Sequence, residues 1–230
     1  WKIRNQYIDV VLDRSRDNVE DFIRQHVSSE LSQKEKIKFL KLLEHQHHAM
    51  LMYTSCGWFF DEVTGIETMQ DILYAARVLQ LTEDVTQTNF EKHFLDLLQK
   101  AESNIPEHQN AAVAYEKFVR PSIVDMQRVG AHYAVSSLFA SYPEETQIYS
   151  YDAKAENFEM HEAGKYKMAI GKAVLKSEVT LETDQITFAI LHLGDHHLFG
   201  GVRDYCGEEA FEAMRSEVVT AFKKSRVHEA

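Results

Sequence analysis

Cysteine is nearly missing from this chain: Cys56 and Cys206 are the only two in 230 residues. Two thiols so far apart build no disulfide framework and suit a reducing cytoplasm, a single bridge between them being the alternative. Basic residues are short as well, 25 against 36 acidic ones, for a net charge of -11. A field of that sign repels nucleic acid and anionic membrane surfaces while favouring solubility, so neither is expected as a partner. Long apolar runs are lacking too. The most apolar, Phe188 to Leu193, is far too short to span a bilayer and contains His192. No N-terminal leader pattern is present, and the chain opens on Trp1. What is present is 44% apolar residues, enough for a substantial core in one large domain or two small ones.

Glycine is scarce at first, with three in the opening 140 residues, and there the apolar residues follow helical spacing. Ile8, Val11, Leu12, Val19, Phe22 and Ile23 predict a first helix over 6–27. A second, 33–54, carries apolar residues on more than one face and is expected to be central. Further helices are expected over 65–81, from the start signal at Thr88 through Phe90, Phe94, Leu97 and Leu98 to Ala101, around 108–119, and after Pro121, whose place suits a first helical position. Ser32-x-x-Glu35, Thr64-x-x-Glu67 and Thr88-x-x-Glu91 each read as a capping box, in which hydroxyl and carboxylate satisfy first-turn donors.

Near Pro143 the period changes from 3.6 to 2, and Gly164, Gly171, Gly194, Gly200 and Gly201 crowd into a short stretch. Tyr166, Met168 and Ile170 alternate as in a half-buried strand, and Ile186 to Leu193 reads as a strand covered on both faces. Turns at Glu162-Ala163-Gly164 and Gly194-Asp195 give an antiparallel meander of about four strands between 146 and 204. A last helix, 208–225, has Glu208, Glu209 and Glu212 early and Lys223, Lys224 and Arg226 late, matching the helix dipole. The fold class is therefore α+β: a helical bundle over 1–143, then a β-meander with a C-terminal helix over 144–230, packed on the bundle.

Three constellations offer chemistry. Glu44-x-x-His47, with His45 and His48 beside it, has the spacing by which one bundle helix presents a carboxylate and an imidazole to a di-iron centre. That centre needs a second Glu-x-x-His, none falls on another predicted helix, and so no metal and no cofactor is expected. His192, Asp195 and His196 lie around a tight turn, a candidate second site where side chains converge on zinc or a sugar hydroxyl, or else an ordinary turn using its Asp. The third runs from Ser55 to Glu62. Trp58, Phe59 and Phe60 are either core filler beneath the helices or a platform for a ligand with an apolar face, beside Asp61 and Glu62 as hydroxyl acceptors.

The stretch Met52 to Glu67, with Trp58-Phe59-Phe60-Asp61-Glu62 at its centre, then Tyr74-Ala75-Ala76-Arg77 and Leu191-His192-Leu193-Gly194-Asp195-His196, carries a resemblance. The chain resembles, over essentially its whole length, the uncharacterised domain that follows the catalytic barrel in a branch of family 57 glycoside hydrolase-like proteins. The resemblance implies a parent that is a retaining glycoside hydrolase or transglycosidase acting on α-glucans, with its nucleophile and general acid on a barrel upstream of Trp1. It also implies a segment that closes the sugar cleft, matched here at Ser55, Trp58, Phe59 and Asp61, although Cys56 and Gly57 intervene and the acid follows the rings; with Cys56 and Glu62 these make the candidate substrate-binding set. The expected partners are then the barrel of the same polypeptide and an α-glucan or oligosaccharide. By this reading the chain is a middle or C-terminal portion, inactive alone and without a catalytic residue of its own. The alternative is a structural or interaction module that never touches substrate.

Overall fold

The structure, a computed structural model, describes residues 2–226, apart from the side chains of Ser225 and Arg226, so the expected dipole role of Arg226 lies outside the described residues, as does Trp1. The fold is α+β, with two compact units that divide between Ile123 and Val124.

The first unit is helical. The expected helix over 6–27 is three: α1 (Lys2–Gln6), α2 (Ile8–Leu12) and α3 (Arg16–His26). The second break is an Asp-centred turn, in which Asp13 Oδ1 accepts from the Ser15 N–H at 2.9 Å and Asn18 Nδ2 donates to the Asp13 carbonyl at 2.6 Å. Next come α4 (Gln33–Leu51), a single turn α5 (Cys56–Phe59), α6 (Ile66–Thr86), α7 (Glu91–Leu98) and α8 (Ala111–Ala114), which runs into a π-turn at Tyr115–Val119 and a 3₁₀ turn at Arg120–Ser122. Pro121 belongs to that 3₁₀ turn, not to the next helix. α4 packs along α6. Behind α6, Ile72, Ala76, Ala111, Tyr115 and Val119 form a buried cluster.

Of the three expected capping boxes one forms. At the start of α4 the Glu35 N–H donates to Ser32 Oγ while Glu35 Oε2 accepts from the Ser32 N–H at 2.9 Å. α6 and α7 begin without a side-chain cap.

The second unit opens with α9 (Met126–Ser136), capped by Asp125, whose Oδ1 accepts from the Arg128 N–H at 2.7 Å. Five strands follow, one more than expected: β1 (Glu145–Ile148), β2 (Tyr151–Ala163), β3 (Tyr166–Ser177), β4 (Thr183–His192) and β5 (Leu198–Asp204). They pair antiparallel in sequence order. The last helix is α10 (Glu208–Arg226). Period 2 sorts the strand residues onto two faces. Ala169, Leu175, Ile186, Phe188 and Ile190 pack with Val129, Tyr133 and Leu138 at α9, whereas Met168 and Ile170 pack with Phe222 and Val218 of α10. Pro143 marks where strands begin; the compact units divide earlier because α9 buries its apolar face on this sheet.

Candidate functional site

The aromatic segment is held at both ends by half-buried and exposed polar contacts and left open in the middle. After α4 the chain turns through Thr54, whose hydroxyl donates to Asp71 Oδ1 of α6 at 2.5 Å, while Thr68 Oγ1 donates to the Gly57 carbonyl at 2.7 Å. Gly57 is what allows this approach, since a Cβ there would stand 2.1 Å from Asp71 Oδ2. At the far end Glu62 accepts from the Thr64 N–H at 2.8 Å, Thr64 Oγ1 at 2.7 Å, Ser103 Oγ at 2.7 Å and the Asn104 N–H at 2.7 Å. Hydrogen bonding from Thr64 first, then Ser103 and the backbone donors, holds the Glu62 carboxyl down to about 2. The Asn104 amide also donates to the Asp61 carbonyl.

Between these clamps the rings face outward. Trp58 is 74%, Phe59 75% and Phe60 54% exposed, flanked by Tyr53 at 77% and Ile66 at 80%. Phe59 and Phe60 meet edge to face with centroids 5.2 Å apart. The reading of this segment as core filler is therefore not what the structure shows. Ser55, Cys56 and Asp61 share the exposed surface with Trp58 and Phe59. Glu62 does not join them as a free acceptor, because both of its oxygens are taken up inside the protein. The same carboxylate explains why the box expected at Thr64 fails: it captures the Thr64 hydroxyl that was to cap α6.

The histidine-rich stretch lies on the last turns of α4. Glu44 is only 2% exposed, and its Oε1 accepts from Tyr7 Oη at 2.5 Å and from Arg14 Nη2 at 2.9 Å. Burial first, and then the Glu44 charge, push the Tyr7 hydroxyl well above the usual phenol range. The other carboxylate oxygen faces His47 Nδ1 at 3.9 Å and His48 Nδ1 at 3.7 Å. Burial pulls His48 below the ordinary histidine range. Among the described residues, Glu44, His47 and His48 are close enough to share one ion, their ligand atoms lying within 4.8 Å of one another. The sequence shows the spacing but not the convergence, which depends on Tyr7 and Arg14 orienting the carboxylate from elsewhere in the unit.

The turn after β4 does not gather its side chains. Asp195 adopts a left-handed conformation with φ 50°, and its carbonyl, not its carboxylate, pairs with His192 Nε2 at 3.1 Å. The His192 ring packs edge to face on Phe139, while Asp195 and His196 are exposed. Among the described residues these three form no group able to share an ion.

The second unit also holds a cavity of ≈ 510 Å³ that no sequence motif marks as a site. Tyr133, Tyr142, Phe139, Phe158 and Met160 line it, with Glu162 and Lys167 among its polar groups. Its one legible signal was Phe158-x-Met160-x-Glu162, which places three side chains on one face of β2.

No helix among the described residues is long and apolar enough to cross a membrane. Compared with curated proteins and with solved structures, the chain matches none. A family profile does match, over residues 1–230, so the chain belongs to the family described as a domain of unknown function, DUF3536.

Proposed function

We propose that this domain is the cleft-completing accessory part of a family 57 glycoside hydrolase-like protein acting on α-glucans, with the catalytic carboxylates on an upstream barrel. The observation that carries the reading is the exposure of Trp58, Phe59 and Phe60 on a loop clamped at both ends. Exposed rings on a rigid support present flat apolar faces at little entropic cost, and a sugar ring stacks on such faces while Asp61 and Ser55 offer hydrogen bonds. The resemblance of the Met52–Glu67 stretch to family 57-like proteins supplies the substrate class. Both cysteines are free and exposed, in keeping with work in a reducing cytoplasm.

A second reading has its own support. Tyr53 and Ile66, at 77% and 80% exposed, widen the apolar surface beyond the rings, as suits docking against protein. Trp58→Ala in the full-length parent separates the two. On the sugar-facing reading kcat/KM on an α-glucan falls by about tenfold or more through lost positioning, and unfolding of the isolated domain is unchanged. Full activity of that variant on a panel of α-glucans would sink the proposal and favour docking.

A further inference from the structure

A buried imidazole nitrogen without a partner needs an explanation, and α4 carries one. His47 Nδ1 is buried with no hydrogen-bond partner, and so is Arg14 Nη1. Both side chains converge on the Glu44 carboxylate, Arg14 through Nη2 on one oxygen at 2.9 Å and His47 facing the other at 3.9 Å. His48, one residue on, points its Nδ1 at the Glu44 backbone carbonyl at 2.9 Å. That tautomer leaves the lone pair of His48 on Nε2.

We propose that Glu44, His47 and His48 form a site for one divalent transition-metal ion of the zinc type. Carboxylate and imidazole are the donors such ions take, and three protein ligands with one open position is a standard arrangement. Ligand atoms around a tetrahedral zinc stand about 3.4 Å apart, from bonds of 2.0–2.1 Å. The 3.9 Å between His47 Nδ1 and Glu44 therefore needs to close by only about half an ångström, and a ligand atom from each of the three residues lies within 4.8 Å of the others. The surroundings of the site already have the outer-shell pattern of metal sites: Tyr7 and Arg14 orient the carboxylate, and a backbone carbonyl fixes one histidine tautomer. One ion gives both orphaned atoms a partner. His47 Nδ1 binds the metal, and Arg14 Nη1 donates to the water or anion in the open position. The missing second Glu-x-x-His argues against a di-iron pair and leaves a single-ion site untouched. Arg14 beside Glu44, and Arg77 near His48, place positive charge around the ion, which lowers its affinity and favours an anion or hydroxide as fourth ligand.

The test is titration of the metal-free chain with Zn(II), and with Co(II) as a spectroscopic stand-in. One equivalent should bind, raise the thermal midpoint and give a Co(II) visible spectrum of low-symmetry coordination. His47→Gln and His48→Gln should each weaken binding by about tenfold or more, leaving the metal-free midpoint near that of the parent chain. His192→Gln should bind as the parent does. Absence of saturable one-equivalent binding overturns the proposal, as does equal binding by His47→Gln or a loss confined to His192→Gln. Should the α4 variants not fold, X-ray absorption of the zinc-loaded parent chain decides: two imidazoles with oxygen ligands support the site, and fewer than two overturn it.

Discussion

A carboxylate that already accepts four hydrogen bonds is a structural part, and Glu62 has that role. Its folded-state pKa, about 2, lies below the ordinary 4.5, so it contributes stability that is fully present above about pH 4.5 and lost as pH falls towards 2. Glu62→Gln should therefore lower the melting midpoint at neutral pH, and the difference from the parent chain should vanish in acid titration to about pH 2. A difference that stays constant across that range would contradict the role. Gly57 is a second such residue. Gly57→Ala should cost about 1–3 kcal/mol by displacing Asp71 and its hydrogen bond to Thr54. In an Asp71→Ala background the same change should cost little, which a double-mutant cycle checks. Trp58 is the contrast: at 74% exposure, Trp58→Ala should shift denaturant unfolding by less than about 1 kcal/mol, against the 3–5 kcal/mol of an emptied aromatic core site. The density of rings at 58–60 was legible in the sequence. Their exposure was not, because composition reads a Trp-Phe-Phe run the same way in a core and on a platform.

At the scale of elements, the packing of α9 on the sheet depends on one missing side chain. A Cβ at Gly130 would stand 2.5 Å from Ile186 Cδ1 and 3.3 Å from Leu175 Cδ1 and Val202 Cγ1, so only glycine lets the helix seat this closely. Gly130→Ala should gain about 1 kcal/mol of helix propensity yet still destabilise by about 1–3 kcal/mol through overpacking. Adding Ile186→Val, which removes the offending methyl, should recover part of the loss. If the double variant is the less stable of the two, the close contact is not the cause. The spacing of Val129 and Tyr133 showed an amphipathic helix, but not that its partner was the sheet, since a hydrophobic stripe does not name the surface that covers it. Local competition misled in the same way at the helix starts: Thr64 carries the capping pattern, but Glu62 takes its hydroxyl.

At the scale of the whole molecule, each compact unit has its own buried cluster, Ile72 with Tyr115 in one and Ile186 with Phe188 in the other. Residues 124–230, expressed alone, should give far-UV circular dichroism of mixed sheet and helix and a cooperative thermal transition. A non-cooperative, unfolded spectrum would show that the boundary at Ile123/Val124 is not a folding boundary. A fragment cut at 144 should do worse, because it strips α9 from one face of the sheet and exposes Ile186, Phe188 and Ile190.

Spacing between near neighbours was enough to read the α+β class, the antiparallel meander, most helix positions and the one working capping box at Ser32. Tertiary structure decided the rest. Whether Glu62 is a ligand group or a staple depends on Ser103 and Asn104, whether Glu44 turns towards His47 and His48 depends on Tyr7 and Arg14, all 30 or more positions away, and the segment that exposes Trp58 is tied down through Thr68 and Asp71 of α6. Periodicity shows which way a side chain leaves its own element; only the folded chain shows what stands there to receive it.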